Sequence, residues 1–329
     1  MNDIQEVREM LASTNPVPPG SLAGSAQDGV GRATRTRITS SSTPRRRRSW
    51  SVRLVAVGGL AVAIAAGTTV VQNMGGTDEQ GRPRAPIPGI PAGPAANAQE
   101  VLNRAAIAAR HRPFVAPRPD QWVFVETRYQ RLAHQEKSGV WTPKSRPKTT
   151  VEPIWTRADG KMMAMLDGGK LTLSPTGGAM PPQDYATQSK LPRVPDALLA
   201  WARKNAGPTG DSATFQLLSA VLANNVLPPD LEAAIYRALA KAAPGVNLNK
   251  QAVDLQGRPA LSIAVPVEGW LKDEVLLDPS TYAYRGHRST VTKDHTIEDS
   301  TFKKGAIESQ SVRLAAGIVD RPGQRPSTP

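Results

Sequence analysis

The fold is decided between residues 246 and 292, where the chain reads VNLNKQAVDLQGRPALSIAVPVEGWLKDEVLLDPSTYAYRGHRSTVT. Apolar and polar side chains alternate through this stretch, which is the pattern of a half-buried strand. Turn signals at Gln256-Gly257 and at Pro279-Ser280-Thr281 separate the runs. We therefore expect antiparallel strands in series, continued by FKKGAIESQSVRLAAGIVD at 302–320.

The chain upstream of this stretch adds further strands and a group of helices. QWVFVETRYQ at 121–130 alternates like a strand, and VEPIWTRADGKMMAML at 151–166 consists of two apolar runs joined at Asp159-Gly160, a favoured hairpin turn. From about 195 to 243 the apolar spacing changes to that of helices. The predicted architecture is α+β, with a curved antiparallel sheet and this inserted helical group on its concave side.

A further helix is predicted at the start of the folded domain. Asn97 precedes AQEVLNRAAIAAR, and Glu100 lies three positions after it, which is the arrangement of a helix N-cap. Apolar side chains recur on one side of this helix. We therefore place the N-terminal boundary of the outer domain at residue 97.

An uncharged apolar segment lies closer to the N-terminus. Residues 54–71 read LVAVGGLAVAIAAGTTVV, eighteen residues that just span a hydrocarbon core of roughly 30 Å at about 1.5 Å per residue. The alternatives are a buried core helix and the apolar region of a cleaved signal peptide. The segment lacks a polar stripe beyond Thr68 and Thr69, and a long polar stretch precedes it. These features favour a retained transmembrane helix at 54–72.

The charges that flank this segment predict its orientation. Basic residues crowd the N-terminal flank, whereas the other flank has no Lys or Arg before Arg82. Trp50 lies where an aromatic ring would occupy the headgroup layer. The residues that carry this prediction are Arg45, Arg46, Arg47, Arg48, Trp50 and Arg53. We expect a single-pass protein of the cell membrane, with its N-terminus in the cytoplasm and its C-terminal domain outside.

The segment also carries a stripe of small residues. Gly59, Ala63 and Gly67 recur at every fourth position, which lets two membrane helices approach closely. This stripe is a candidate helix–helix contact. Segments of this kind are commonly rich in Ala and Gly, so the alternative is a stripe without a partner.

The predicted span divides the chain into parts of different composition. The cytoplasmic arm begins with a short helix and then becomes basic and disordered, and a Pro/Gly linker follows the span. The predicted parts are the arm at 1–53 with its helix at 3–12, the span at 54–72, the linker at 73–96, the extracytoplasmic α+β domain at 97–320 and a disordered tail at 321–329.

Composition and motifs argue against several kinds of chemistry. The sequence has no cysteine, which excludes disulfides and thiolate metal sites. Its formal charge is +13, but it has no basic helix and no basic stretch interleaved with aromatic residues, so no nucleic-acid partner is predicted. The four histidines fall in different predicted elements without metal-ligand spacing. We therefore predict no enzyme, no cofactor, no metal and no catalytic residue.

Aromatic and sulfur-containing side chains suggest a ligand groove. A curved sheet under a helical lid leaves a concave apolar surface, and Met side chains adapt to varied ligands. The candidate lining residues are Trp155, Met162, Met163 and Met165, facing a lipid or peptide. The alternative is that these residues fill the core.

The sequence also resembles a known family. VDLQGRPALSIAVPVEGWLKDEVLLDPSTYAYRGHR at 253–288 resembles a segment of an actinobacterial family of uncharacterised single-pass membrane proteins, often encoded beside extracytoplasmic-function sigma factors. VREMLA at 7–12, QWVFVETR at 121–128 and IVDRPGQRP at 318–326 share the resemblance. The D-P-S-T-Y hairpin looks like the repeated unit of the LolA and RseB type of half-barrel, in families that hold lipids or sense envelope damage. A zinc-type anti-sigma domain would need His and Cys ligands, and residues 1–53 contain neither.

Three functional hypotheses follow. The first is a non-enzymatic envelope protein whose outer domain binds a ligand or partner and whose arm reports this to a cytoplasmic regulator, a sigma factor. The second is a membrane-tethered lipid- or cell-wall-binding protein without a signalling role. The third is a membrane-anchored enzyme.

Overall fold

The structure is a computed structural model that describes residues 85–131, 139–145, 147–176, 181–207, 210–242, 245–297 and 300–326, together with two short strands at 76–77 and 83–84. All of these residues belong to one compact unit, Gly67–Pro329. The predicted arm, transmembrane helix, basic flank and small-residue stripe lie outside the described residues. No helix of the described part is long and apolar enough to cross a membrane.

The described residues form five helices and fourteen strands. The helices are α1 (Ala98–Arg110), α2 (Tyr185–Gln188), α3 (Pro195–Asn205), α4 (Gly210–Ala223) and α5 (Pro229–Ala242). The strands of the first half are β1 (Gly76–Thr77), β2 (Pro83–Arg84), β3 (Trp122–Arg131), β4 (Val140–Trp141), β5 (Lys148–Arg157), β6 (Met162–Asp167) and β7 (Lys170–Pro175). The strands of the second half are β8 (Asn247–Val253), β9 (Pro259–Val267), β10 (Leu271–Leu277), β11 (Tyr284–Val291), β12 (His295–Ile297), β13 (Ser300–Phe302) and β14 (Ile307–Val319).

Nine strands form one antiparallel sheet in the order β7-β6-β5-β3-β14-β11-β10-β9-β8. The last strand in sequence, β14, lies at the centre and pairs with β3 on one side and β11 on the other. The sheet therefore joins the two halves of the chain, and the helical group is inserted between them. The α+β class and the large antiparallel sheet predicted from the sequence are confirmed.

One face of the sheet is covered by helices. Strands β9, β10 and β11 contribute Leu261, Ile263, Val275 and Tyr284 to a core that also holds the buried faces of α1, α3, α4 and α5. Helix α5 is central, because it packs against α1, α3 and α4. Its Leu239 is fully buried. The helices are thus held by apolar burial against the second half of the sheet.

The opposite face carries a second apolar cluster, formed by Trp122, Phe124, Trp155, Ala164 and Val319. Its side follows from strand alternation. Arg313 contacts α4, so its side chain lies on the helix-covered face, and its partner Thr127 lies on the same face. Alternate residues of β3 point to opposite faces, so Glu126 and Phe124 face away from the helices. The rings of Phe124 and Trp155 lie 5.1 Å apart.

The C-terminal segment differs from the prediction of a disordered tail that begins at residue 321. Residues 321–326 lie against this second face, where the indole Nε1 of Trp155 donates a 2.6 Å hydrogen bond to the carbonyl oxygen of Gln324. Arg325 forms an ion pair with Glu126. Polar and Pro-rich composition did not reveal this packing, because the segment is held by hydrogen bonds and an ion pair rather than by apolar burial. Residues 327–329 lie outside the described part.

Candidate binding site

A cavity of about 200 Å³ lies where the end of α1, the α4–α5 loop, the β10–β11 turn and strand β14 meet. Its wall combines apolar side chains with four polar ones. The polar residues of the wall are Arg112, Asn225, Glu232 and Arg313. The remaining lining residues are Pro113, Phe114, Leu222, Val226, Leu227, Pro229, Ala283, Tyr284 and Ala316.

Arg112 and Glu232 form an ion pair at one side of the cavity. Arg112 also donates to the carbonyl oxygen of Thr281 at 3.2 Å, and the hydroxyl of Tyr236 donates to Glu232 at 3.2 Å. Burial, the largest cause, would by itself lower the pKa of Arg112, but Glu232 and Tyr236 together outweigh it and raise the pKa. The two charges of this pair neutralise each other, and both side chains already have hydrogen-bond partners within the protein.

Arg313 closes another side of the cavity and caps helix α4. Its Nη2 donates to the carbonyl oxygens of Leu222 and Ala223, the latter at 2.8 Å, and so pairs carbonyls that the helix end leaves free. Its guanidinium carbon lies 4.9 Å from the centre of the Tyr284 ring, a cation–π contact. Burial lowers the pKa of Arg313. Its Nε has no hydrogen-bond partner among the described residues.

Asn225, in the α4–α5 loop, is 2% exposed. Its Nδ2 donates to the carbonyl oxygens of Val221 at 3.0 Å and Pro182 at 3.4 Å. Exchanging the amide oxygen and nitrogen would place Oδ1 against two carbonyl acceptors, so these contacts fix its orientation. In that orientation Oδ1 accepts no hydrogen bond from any residue that the structure describes.

Two residues of the wall therefore each have one buried polar atom, a donor in Arg313 and an acceptor in Asn225, without a partner in the part of the chain that the structure describes. Such groups are rare in native structures, and each costs about 1–3 kcal/mol when it stays unpaired. Both atoms have almost no accessible surface, so a bound group that both accepts and donates recovers this free energy only when the wall side chains move to admit it. The volume is below the roughly 300–1,000 Å³ of typical small-molecule sites, so the cavity suits one anchoring group of a ligand or partner.

The four residues predicted to line a groove lie on two faces of the sheet. Trp155 is buried in the second apolar cluster, and Met162 packs against that cluster. Trp155 pairs with Ala164, so the adjacent Met163 and Met165 face the other side. The four side chains therefore do not line one groove, because successive residues of β6 point to opposite faces of the sheet. Trp155 lies in a buried cluster, as expected from the alternative that these residues fill the core.

The residues that line the cavity were not singled out from the sequence. Arg313 offered a signal, since it is a charge among the apolar residues of SVRLAAGIV. Asn225 offered none, because an Asn between two helices is ordinary in a loop. Among the described residues, no three His, Asp or Glu side chains lie close enough together to hold a metal ion.

No protein-family model matches the chain, and no curated protein matches it significantly. Among solved structures, the chain is similar to the Pseudomonas aeruginosa MucA/MucB complex, with a TM-score of 0.28 and 16% identity over 70% of this chain and 58% of that chain. A structure of MucB in complex with MucA(peri) gives a TM-score of 0.26 and 14% identity, over 70% of this chain and 59% of that chain. The chain thus spans less than two thirds of the solved chains it matches. The resemblances drawn from the sequence, to the actinobacterial family and to the half-barrel type, stay predictions.

Proposed function

We propose that this chain is a single-pass membrane protein whose outer domain binds a partner or ligand and whose cytoplasmic arm communicates that state to a regulator. The uncharged segment at 54–71 and the Arg residues before it support the anchor and its orientation. The candidate regulator is a sigma factor, because the family that this sequence resembles is often encoded beside extracytoplasmic-function sigma factors. The protein acts by binding rather than by catalysis.

One observation carries the binding role. Two residues of the wall of the cavity, Asn225 and Arg313, each have one buried polar atom, Oδ1 and Nε respectively, without a partner among the described residues. A bound group that reaches both atoms as the wall side chains move would stabilise the complex by about 2 kcal/mol or more. A core selected for stability alone pairs or replaces such atoms, so their presence in the wall supports a binding role.

Site-specific photo-crosslinking in intact cells tests this role. A benzophenone amino acid at Phe114, which lines the cavity and is half-buried, is compared with the same amino acid at Val253, which is 49% exposed on β8. We expect a discrete crosslinked species from position 114 alone, lost when Arg313 is replaced by Met. The same adducts at both positions, or none at position 114, would contradict the binding role.

The mass of the adduct separates the functional alternatives. A protein adduct supports partner binding, whereas a lipid adduct would support a tethered lipid-binding protein.

Protease treatment of intact cells tests the orientation: an epitope at the C-terminus should be removed and one at the N-terminus kept. The reverse pattern would overturn the proposed topology.

A further inference from the structure

The C-terminal segment 321–326 crosses the sheet face opposite the helices. Its three last described residues each make a distinct contact. Gln324 accepts the hydrogen bond of the Trp155 indole at 2.6 Å, and Arg325 pairs with Glu126. Pro326 lies so close to Gly317 that a Cβ at that glycine would come within 2.7 Å of the proline ring. We name the surface formed by Glu126, Trp155 and Gly317 the tail platform.

The tail platform requires a cation. The side chain of Glu126 is 6% exposed, and both of its oxygens accept from Arg325, one at 3.1 Å. No other described residue forms an ion pair with Glu126. Arg325 itself covers this carboxylate, so an occupant that covers Glu126 in the same way without a cation would leave it buried and unpaired, at a cost of several kcal/mol. The fork of a guanidinium satisfies both oxygens at once.

The platform also binds a backbone carbonyl and a proline ring. An indole N–H is a donor only, so Trp155 needs a carbonyl that no strand already uses. Gly317 has no side chain, which leaves a flat surface for the proline ring. A donor for a free carbonyl beside a flat surface for a proline ring therefore favours a peptide that contains proline.

An apolar strip beside the platform stays uncovered by the tail. Leu166, Leu171 and Leu173 share the face of Trp155, since Ala164 pairs with both Trp155 and Leu173, and they are 39–50% exposed. Gly323 comes near Leu171, but the tail then turns, with the amide of Gln324 donating to the carbonyl of Arg321 at 3.3 Å. A separate peptide is not joined to β14 and can therefore continue over the leucines.

We propose that the tail platform is a docking surface for an extended peptide of a partner protein that carries apolar residues followed by Arg-Pro, and that residues 321–326 occupy this surface in its absence. Such a peptide reproduces the three contacts of the tail and adds the burial of the leucine strip. The tail competes as an intramolecular ligand at high effective concentration. Release of the tail therefore increases the affinity for the peptide.

Fluorescence polarisation with the full-length chain in lipid nanodiscs tests this proposal. The probe is labelled acetyl-Leu-Leu-Ala-Gln-Arg-Pro-amide, and its matched control has Ala in place of Arg. Arg325→Ala removes the tail's ion pair, and Arg321→Ala is the matched protein control, an exposed arginine of the same segment. We expect the probe to bind Arg325→Ala about tenfold more tightly than Arg321→Ala. The control peptide should bind neither variant at the same concentrations.

A second substitution tests the role of the carboxylate. Glu126→Gln in the Arg325→Ala background should weaken probe binding about tenfold or more, because the charge that pairs with the arginine is lost. Thermal melting establishes that each variant is folded, and Pro326→Ala, which removes the proline ring from Gly317 and leaves Glu126 paired, replaces Arg325→Ala if that variant unfolds. Equal affinity of both tail variants, equal binding of both peptides, or no binding to any folded variant would overturn the proposal and leave the segment a structural strap.

Discussion

Glu274 shows how a single buried charge is held in this sheet. It is fully buried on β10, where Arg288 donates to its two oxygens at 2.7 and 2.9 Å and Ser262 donates at 2.6 Å. Burial opposes ionisation, but the hydrogen bonds from Arg288 and Ser262 outweigh it and lower the pKa of Glu274 to about 2. In the unfolded chain the same carboxyl titrates near 4.5. Its ionised form therefore stabilises the folded state.

The first prediction concerns the pH dependence of this contribution. Above about pH 4.5 both states are ionised and the stabilisation is complete; as the pH falls to about 2, it is lost. The loss is on the order of 3 kcal/mol at about 1.4 kcal/mol per pKa unit. In Glu274→Gln, the free energy of unfolding should therefore fall less between pH 5 and pH 2. Chemical denaturation at several pH values measures this, with Glu308→Gln, a half-buried glutamate on β14, as the control. Identical pH profiles for the two variants would refute the assignment.

At the scale of elements, helix α1 has a side-chain cap at its N-terminus. Asn97 has extended backbone angles, and its Oδ1 accepts from the amide of Glu100 at 2.9 Å. The carboxylate of Glu100 in turn accepts from the amide of Ala96 and pairs with Arg104. These bonds satisfy amides that the first turn would otherwise leave free.

The second prediction follows from this cap. Asn97→Ala should lower the free energy of unfolding by about 1 kcal/mol, because it removes the acceptor of the Glu100 amide. Asn103→Ala, at an exposed position within the same helix, is the matched control and should change stability by less than about 0.5 kcal/mol. Thermal or urea denaturation of both variants provides the measurement. A larger loss for Asn103→Ala would show that the cap does not hold the helix end.

Elements differ in how well the sequence predicted them. Alternation and turn signals located β9, β10, β11 and β14, although β9 and β10 are buried on both faces and only β11 shows a clear alternation of burial. Helix α2, four residues long, was not predicted, since one turn gives no periodicity. The parallel pairing of β4 with β13 was also missed, because it joins residues 140–141 to residues 301–302 and no local pattern encodes such a contact.

At the scale of the whole molecule, the helical group and the sheet share one core. Ile235 and Leu239 of α5 belong to the same buried cluster as Leu261 and Ile263 of β9. Neither side could keep these residues from water without the other. We therefore expect the two parts to unfold together rather than as separate subdomains.

The third prediction tests this cooperativity. Leu239→Ala should destabilise the folded state by about 2–5 kcal/mol, because it leaves a cavity in the shared core. Amide hydrogen exchange should accelerate equally at Ile235 and at Ile263. Lys241→Ala, on the exposed side of α5, is the control, since an exposed ion pair contributes little. Faster exchange confined to the helices would mean that the helical group unfolds independently.

The sequence by itself determined the class of the fold, because strand and helix periodicity are local consequences of burying one face. It also predicts a membrane span at 54–72, since that prediction rests on the length and apolarity of a continuous segment. Tertiary structure decided which faces meet: it divided Trp155 from Met163 and Met165, assembled Arg112, Asn225 and Arg313 around one cavity, and laid residues 321–326 over Trp155. The reason is that these contacts join residues distant in sequence, whose pairing depends on strand order and register and not on any local pattern.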